Sequence, residues 1–237
     1  MSVNIEYPLD CGSCLMRKLS VFNNLRPEDV LCLNHNKNHL EFKKGKIIFT
    51  VGQRPLGIYI VYSGKVKVQK LGSNAKEQIV RLAKEGDILG YRSLISGSNY
   101  NATAETLEDS VLCFLSKETF FELMKNNPSV SMNLMKLLSD KLGAAETKIV
   151  EIIQKPTRNR IAETLLLLNE LFGTEEDNQT INVVMTREDI ANIAGMSTET
   201  AIRLLYGLRD EGLIGLEKKK IKILNIKKLI KESNIED

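Results

Sequence analysis

From Met185 to Leu216 the chain reads MTREDIANIAGMSTETAIRLLYGLRDEGLIGL, two short amphipathic helices joined through a glycine, and few arrangements satisfy that pattern. Thr186 is a good helix N-cap, with Asp189 where a capping box places its acid. Ile190, Ala191, Ile193 and Ala194 supply the apolar stripe of a first helix, and Gly195 suits the left-handed residue that ends it. Ser197 or Thr198 then caps a second helix. Its Ala201, Leu204, Leu205 and Leu208 face inward, which turns Thr198, Glu199, Ile202, Arg203 and Tyr206 outward.

Two helices joined this tightly have the form of a helix-turn-helix, whose second helix can enter the major groove of DNA. A guanidinium fork matches O6 and N7 of guanine, so Arg203 is the expected base reader, while Glu199 could accept from a cytosine amino group. Thr186, Arg187, Ser197, Thr198 and Ile202 complete the expected DNA-facing set. A plain helical hairpin with a charged outer face would look the same in isolation. The following segment separates the two readings. Gly212, Gly215 and the alternation from Ile214 to Ile226 predict a short hairpin with Lys218, Lys219 and Lys220 at its turn, a basic wing beside phosphates. Net charge over 237 residues is only +3, yet Arg187 to Lys231 carries 10 basic against 6 acidic residues, so the surplus is local.

Upstream the texture is different. Lys46 to Val51, Ile58 to Tyr62, Lys65 to Leu71, Gln78 to Leu82 and Ser110 to Leu115 are short β-branched and aromatic runs punctuated by glycines, which predicts a sandwich or jelly-roll barrel. Before them, Arg26-Pro27-Glu28-Asp29 opens a short helix through Leu33, and after them a helix runs from Lys117 to about Lys125. Beyond Asn127-Pro128 a long amphipathic run extends to about Gln154. In it Met135, Leu138, Leu142, Ala145, Ile149 and Ile152 follow the 3-4-3-4-3 spacing of a coiled-coil seam. The same helix could instead pack on its own barrel, and Leu134, Leu137 and Ile153 give it a second apolar flank for that purpose. Lys155-Pro156-Thr157 breaks the run. The expected organisation is an α+β chain with a sensor barrel at 1–127, a dimerisation helix at 128–154 and a winged helix-turn-helix at 155–237. A helix from Arg158 to Phe172 and an apolar strand from Ile181 to Val184 are expected to lead into the reader.

In this order, the chain resembles the cyclic-AMP receptor protein/fumarate-nitrate reductase regulator superfamily over nearly all its length. Gly64-Lys65-Val66, Gly86-Asp87-Ile88-Leu89-Gly90, Thr186-Arg187-Glu188-Asp189-Ile190-Ala191 and Glu199-Thr200-Ala201-Ile202-Arg203 carry the resemblance. It implies a homodimeric transcription regulator on palindromic double-stranded DNA, controlled through its barrel, with RNA polymerase as a partner where it activates. Glu199 and Arg203 fall on the family's base-reading acid and arginine, and Ile202 stands where oxygen-sensing members tend to have serine. The effector pocket would involve Gly90, Tyr91, Arg92, Ser93, Tyr100 and Asn101. Here, however, Arg92 replaces the glutamate of the nucleotide-binding cassette and Tyr100-Asn101 replaces its arginine-serine pair, so a standard cyclic-nucleotide site is not expected.

Iron-sulfur members of that family carry an N-terminal cysteine cluster plus one cysteine in the barrel. Cys11 and Cys14 match the N-terminal pair and Cys113 the barrel position; Ser20 stands at a third N-terminal place, so Cys32 would have to supply the fourth thiolate. The alternative is buried thiols at Cys32 and Cys113 with an exposed pair at Cys11 and Cys14. Cys32, His35 and His39 are also spaced as metal ligands can be, but they fall where a helix should yield to a polar loop from Asn34 to Asn38, and read as solvated loop histidines. No signal peptide or membrane span is evident, so a cytoplasmic location without membrane contact is expected. Rival readings are a dimeric adaptor that does not touch DNA and a small-molecule enzyme. With two histidines and no nucleophile motif, no catalytic residue is assigned.

Overall fold

The computed structural model describes residues 10–72 and 76–233. Its contacts divide into two compact units, Met1–Lys67 with Ala83–Lys141, and Val68–Leu82 with Leu142–Asp237. Among the described residues no helix is long and apolar enough to cross a membrane.

The first unit opens with helices α1 (Leu15–Leu19) and α2 (Pro27–Asn36). Pro27 occupies the first turn of α2, where its missing N–H costs nothing, and the buried Asp29 receives the Nε of Arg26 at 2.8 Å. Strands β1 (Lys37–Phe42), β2 (Ile47–Phe49), β3 (Gly57–Ser63), β4 (Val66–Leu71), β5 (Glu77–Ala83) and β6 (Ile88–Leu89) follow, then helix α3 (Tyr91–Ser96) and strands β7 (Thr103–Thr106) and β8 (Ser110–Ser116). They form two four-stranded sheets, ordered β1-β8-β3-β6 and β2-β7-β4-β5, which is the expected jelly roll.

Each of the five expected runs lies on one strand, while β1, β6 and β7 lack an apolar alternation to announce them. For β1 this corrects the expected polar loop. Helix α2 continues to Asn36 and passes directly into the strand, because residues 37–42 pair antiparallel with β8. His39 is therefore a half-buried strand residue, its ring 6.1 Å from that of Tyr62, and not a solvated loop histidine.

Phe22, Leu33, Ile58, Ile88, Phe120 and Leu123 form one core with Val130 and Leu134, and the Phe22 and Phe120 rings meet edge to face at 6.4 Å. Helix α4 (Lys117–Asn126) is capped by Ser116, whose Oγ accepts from the Thr119 amide at 3.3 Å. Helix α5 (Pro128–Gln154) buries Val130 and Leu134 near its start. Farther along its apolar row faces solvent: Leu142 is 62% exposed and Ile149 59%.

The second unit takes in most of β4 and β5 (68–82) and α5 from Leu142 onward, together with α6 (Thr157–Phe172), α7 (Arg187–Ala194), α8 (Thr198–Asp210), the hairpin β9 (Ile214–Glu217) and β10 (Lys220–Ile223), and α9 (Ile226–Ser233). Ile161, Leu165, Ile190, Leu205, Leu208 and Leu229 are among its buried side chains. Two expectations are corrected. Ile181 to Val184 is no strand: Ile181 makes a single bridge to Thr174 and its amide donates to the Ile221 carbonyl at 2.9 Å, after which the chain turns, the Val183 amide donating to Ile181. The alternation after Gly212 stops at Ile223, because Asn225 Oδ1 accepts from the Lys228 amide at 3.0 Å and starts α9. Arg158 ties α6 to that helix and to the end of α8 through Glu232 and Glu211.

Candidate nucleic-acid interface and sensor cavity

The reader begins on a complete capping box. Thr186 Oγ accepts from the Asp189 amide at 3.0 Å, and the Asp189 carboxylate accepts from the Thr186 amide at 3.0 Å. Gly195, at φ 66°, ends α7. An added Cβ there would lie 3.4 Å from Arg160 Nη1 and 3.8 Å from Ile152 Cδ1, so the last residue of the α5 seam sits beside the turn of the helix-turn-helix. Ser197, not Thr198, caps α8, accepting from the Thr200 amide at 3.2 Å.

Ala201, Leu205 and Leu208 anchor one face of α8 in the core. On the other face Glu199, Arg203 and Tyr206 are exposed, with Thr198 and Ile202 half-buried beside them. The Glu199 carboxyl is held below its usual range by its own backbone amide and by the Ser197 hydroxyl, so it is an acceptor at neutral pH. Replacing Thr186 by alanine removes an acceptor for an orphan amide without altering the outer face of α8. A loss of about 1 kcal/mol is expected, visible as a lower urea midpoint; an unchanged midpoint would show that the cap adds nothing.

The wing turn carries Lys218, at φ 53°, and Lys219, both exposed. Lys220 and Lys222 on the following strand are paired with acids, Lys220 with Glu175 at 2.7 Å and Lys222 with Glu217 at 2.9 Å. Arg187, expected to face DNA, is half-buried, and its Nη2 donates to the Lys218 carbonyl at 3.0 Å. That bond joins the first residue of α7 to the wing turn. Arg187→Ala is accordingly expected to speed amide hydrogen exchange over 217–220; unchanged protection there would count against the tie.

The six residues expected around an effector differ in exposure. Tyr91, Ser93 and Tyr100 are buried, whereas Arg92 and Asn101 are exposed. The Tyr100 ring stacks on Phe49 at 4.0 Å between centroids, and Tyr59 extends the group to Phe114 at 5.1 Å. Burial raises the Tyr100 hydroxyl well above its ordinary pKa. Gly90, at φ 82°, faces this group: a Cβ there would come within 3.3 Å of the Tyr100 ring and hydroxyl.

A cavity in the same unit gathers cysteines. Cys11, Cys14 and Cys113 line it together with Lys37, His39 and Ile60. Cys11 and Cys14 are buried, opposite to the exposed pair expected of uncommitted thiols, and Cys32 and Cys113 are only partly so. Cys32 is not among the lining residues; it sits on α2, where Asn36 Nδ2 lies 3.6 Å from its sulfur. Burial pushes the Cys113 thiol up to about 12 and also raises Cys11, against the opposing pull of the Lys37 ammonium 3.1 Å from the Cys11 sulfur. Burial and the Lys37 charge lower the pKa of His39, which favours the neutral imidazole. Sequence reasoning missed His39 as a member of this group, and the polar run around it carried no sign of the strand.

Residues 39–127 match the family model of the cyclic nucleotide-binding domain, and residues 159–232 that of the Crp-like helix-turn-helix domain. The chain is 31% identical to the Cyclic AMP receptor protein of Thermus thermophilus, over 85% of this chain and 90% of that one. It is 27% identical to the Fumarate and nitrate reduction regulatory protein of Escherichia coli, over 92% of this chain and 87% of that one. Among solved structures, a transcriptional regulator of the crp/fnr family from Eubacterium rectale superposes with a TM-score of 0.73 at 25% identity, covering 90% of this chain and 97% of that one.

Proposed function

Since the chain belongs to the CRP/FNR family of transcription regulators, which carry a helix-turn-helix domain and are not enzymes, we propose that it acts as a homodimer binding a palindromic duplex sequence-specifically through α8, under control of its β-roll. The observation that carries this reading is the outer face of α8. Glu199 and Arg203 stand exposed on a helix whose opposite side is fixed in the core, next to a wing turn bearing Lys218 and Lys219. Base edges are read by such side chains, and lysines beside them neutralise phosphates. Thr186, Ser197 and Thr198 lie at or near the helix starts, where they would take backbone contacts.

The partner for association is a second copy. Met135, Leu142, Ala145, Ile149 and Ile152 are exposed along α5 at heptad spacing, and Leu138 is half-buried. A two-fold pair of such helices would close that row and set two readers about one DNA turn apart. Ile152 beside Gly195 links the row to the reader, so a change in how the long helices pair reaches α7. A signal can shift that pairing only by favouring one arrangement over the other.

The cassette positions Arg92 and Asn101 are exposed, and neither residue is of the type that holds a cyclic nucleotide in the family, which argues against that effector. The Tyr100 ring stands against Gly90, and the neighbouring Tyr91 is committed to the core. Thiol chemistry fits better: Cys11, Cys14 and Cys113 would hold an iron-sulfur cluster in their shared cavity. When bound, a cluster supplies a redox-sensitive charge at that place. The chain's own part is to keep water away with Phe22, Leu33 and Ile60, and to present Lys37 to the Cys11 sulfur.

Selection of bound duplexes from random sequence, followed by fluorescence anisotropy on the selected palindrome, tests the reading. Affinity is expected to fall linearly in log-log form with salt, by a slope near −0.9 per phosphate neutralised. Absence of any preferred palindrome would favour a non-DNA adaptor.

A further inference from the structure

We infer that the cysteine cavity is an iron-sulfur site whose fourth protein donor is His39, with Cys11, Cys14 and Cys113 as its thiolates and Cys32 outside it. The inference goes beyond the DNA-binding reading: a chain could bind its palindrome without a cluster, and a cluster could assemble in a chain that binds no DNA.

Strand register brings the imidazole to the place. In the β1–β8 pair His39 stands directly opposite Cys113, and on the other side of β8 Cys113 stands opposite Ile60. Directly opposed residues have side chains on one face about 5 Å apart at Cβ. Cys11 reaches the same cavity because its amide donates to Asn34 Oδ1 at 2.6 Å, and Arg17 Nε donates to the Cys11 carbonyl at 2.6 Å, so the loop before α1 is tied down from two sides. Cys14 follows three residues later and shares the lining.

Two other candidates for the fourth place are engaged elsewhere. Cys32 is absent from the cavity wall. Ser20, which stands where a further N-terminal cysteine would, donates its hydroxyl to the Arg17 carbonyl at 2.7 Å and accepts from the Phe22 amide at 3.2 Å.

The donor types on the cavity wall, three thiols and an imidazole, are those that iron-sulfur centres take. Among the described residues no three histidine, cysteine or acidic groups already stand close enough together to hold one ion. A cluster spreads its donors over several irons, so they stand around a cavity wider than one ion needs. An imidazole in place of one thiolate removes a negative charge from the ligand set, and the Lys37 ammonium at the Cys11 sulfur acts in the same direction. Both raise the reduction potential.

The test uses the full chain, purified and reconstituted anaerobically with ferrous iron and sulfide. Expected are bound iron and sulfide in equal amounts and, in pulsed electron paramagnetic resonance of the reduced centre, coupling to an imidazole nitrogen. His39→Cys should keep the iron, lose the nitrogen coupling and move the potential downward. Cys32→Ser should change none of these, and Cys113→Ser should lose the centre. Uptake of zinc alone, a centre without nitrogen coupling, or loss of the centre in Cys32→Ser would each overturn the inference. Anisotropy on the palindrome, run on the same preparations, reads the DNA function separately.

Discussion

Leu142→Glu is expected to leave the protein monomeric and to remove binding to its palindrome with it. Leu142 lies in the middle of the α5 row and is 62% exposed in the single chain, so the substitution disturbs little within one copy. In a two-fold seam the change appears twice, and each carboxylate must leave water opposite another. Desolvating a carboxylate costs several kcal/mol even after relaxation. A loss of about 4 kcal/mol corresponds to roughly a thousandfold in the dimerisation constant. With one copy per duplex, only a half-site is read, and the gain from linking two readers disappears. Sedimentation velocity and anisotropy on one set of samples check the link, with the thermal midpoint of the variant as a control on folding. A variant that remains dimeric, or a monomer that binds the palindrome as tightly as the parent, would contradict it.

What the sequence revealed and what it hid divide by the range of the interactions. The reader was legible residue by residue. Thr186 with Asp189, Gly195 and Ser197 act on neighbours within three or four positions, and each does what its type predicts. The row on α5 was legible for the same reason, since a helical period is written in consecutive residues. Strand β1 was hidden because Lys37, Asn38 and Glu41 have the composition of a loop, and only pairing with the distant strand β8 makes them a strand. The cysteine cavity depends on that same pairing, which carries His39 to Cys113, while Cys32, nearer than His39 to Cys11 and Cys14 in sequence, stays on α2 and is not part of the cavity wall. Packing likewise places Tyr100, one of the expected effector residues: it stacks on Phe49, far from it along the chain, and no local pattern announces that contact. Arg187 makes a long-range contact that its place in the motif does not announce. Its place in the motif suggests DNA, and its guanidinium also donates to the Lys218 carbonyl, 31 residues on.

Arg203→Ala is expected to relax discrimination at one position of each half-site. The side chain is exposed on α8, and the helix behind it is fixed by Ala201, Leu205 and Leu208 and by the Ser197 cap, so truncation removes a reader without moving its support. A bidentate arginine on guanine is worth about 1–3 kcal/mol of discrimination, roughly five- to 150-fold, against the wrong base. Two-fold symmetry requires the loss at both mirror positions of the palindrome. The neighbouring Ile202 cannot restore it, because it has no donor and can only pack against an apolar group such as a thymine methyl. The salt slope should stay as it was, since a base contact releases no counterion, whereas Lys218→Ala or Lys219→Ala should lower the slope by about one per half-site and spare the base preference. Binding of a full panel of single-base variants, measured at three salt concentrations, separates these outcomes. A uniform loss across every sequence would make Arg203 a phosphate contact, and no loss at all would remove α8 from the groove.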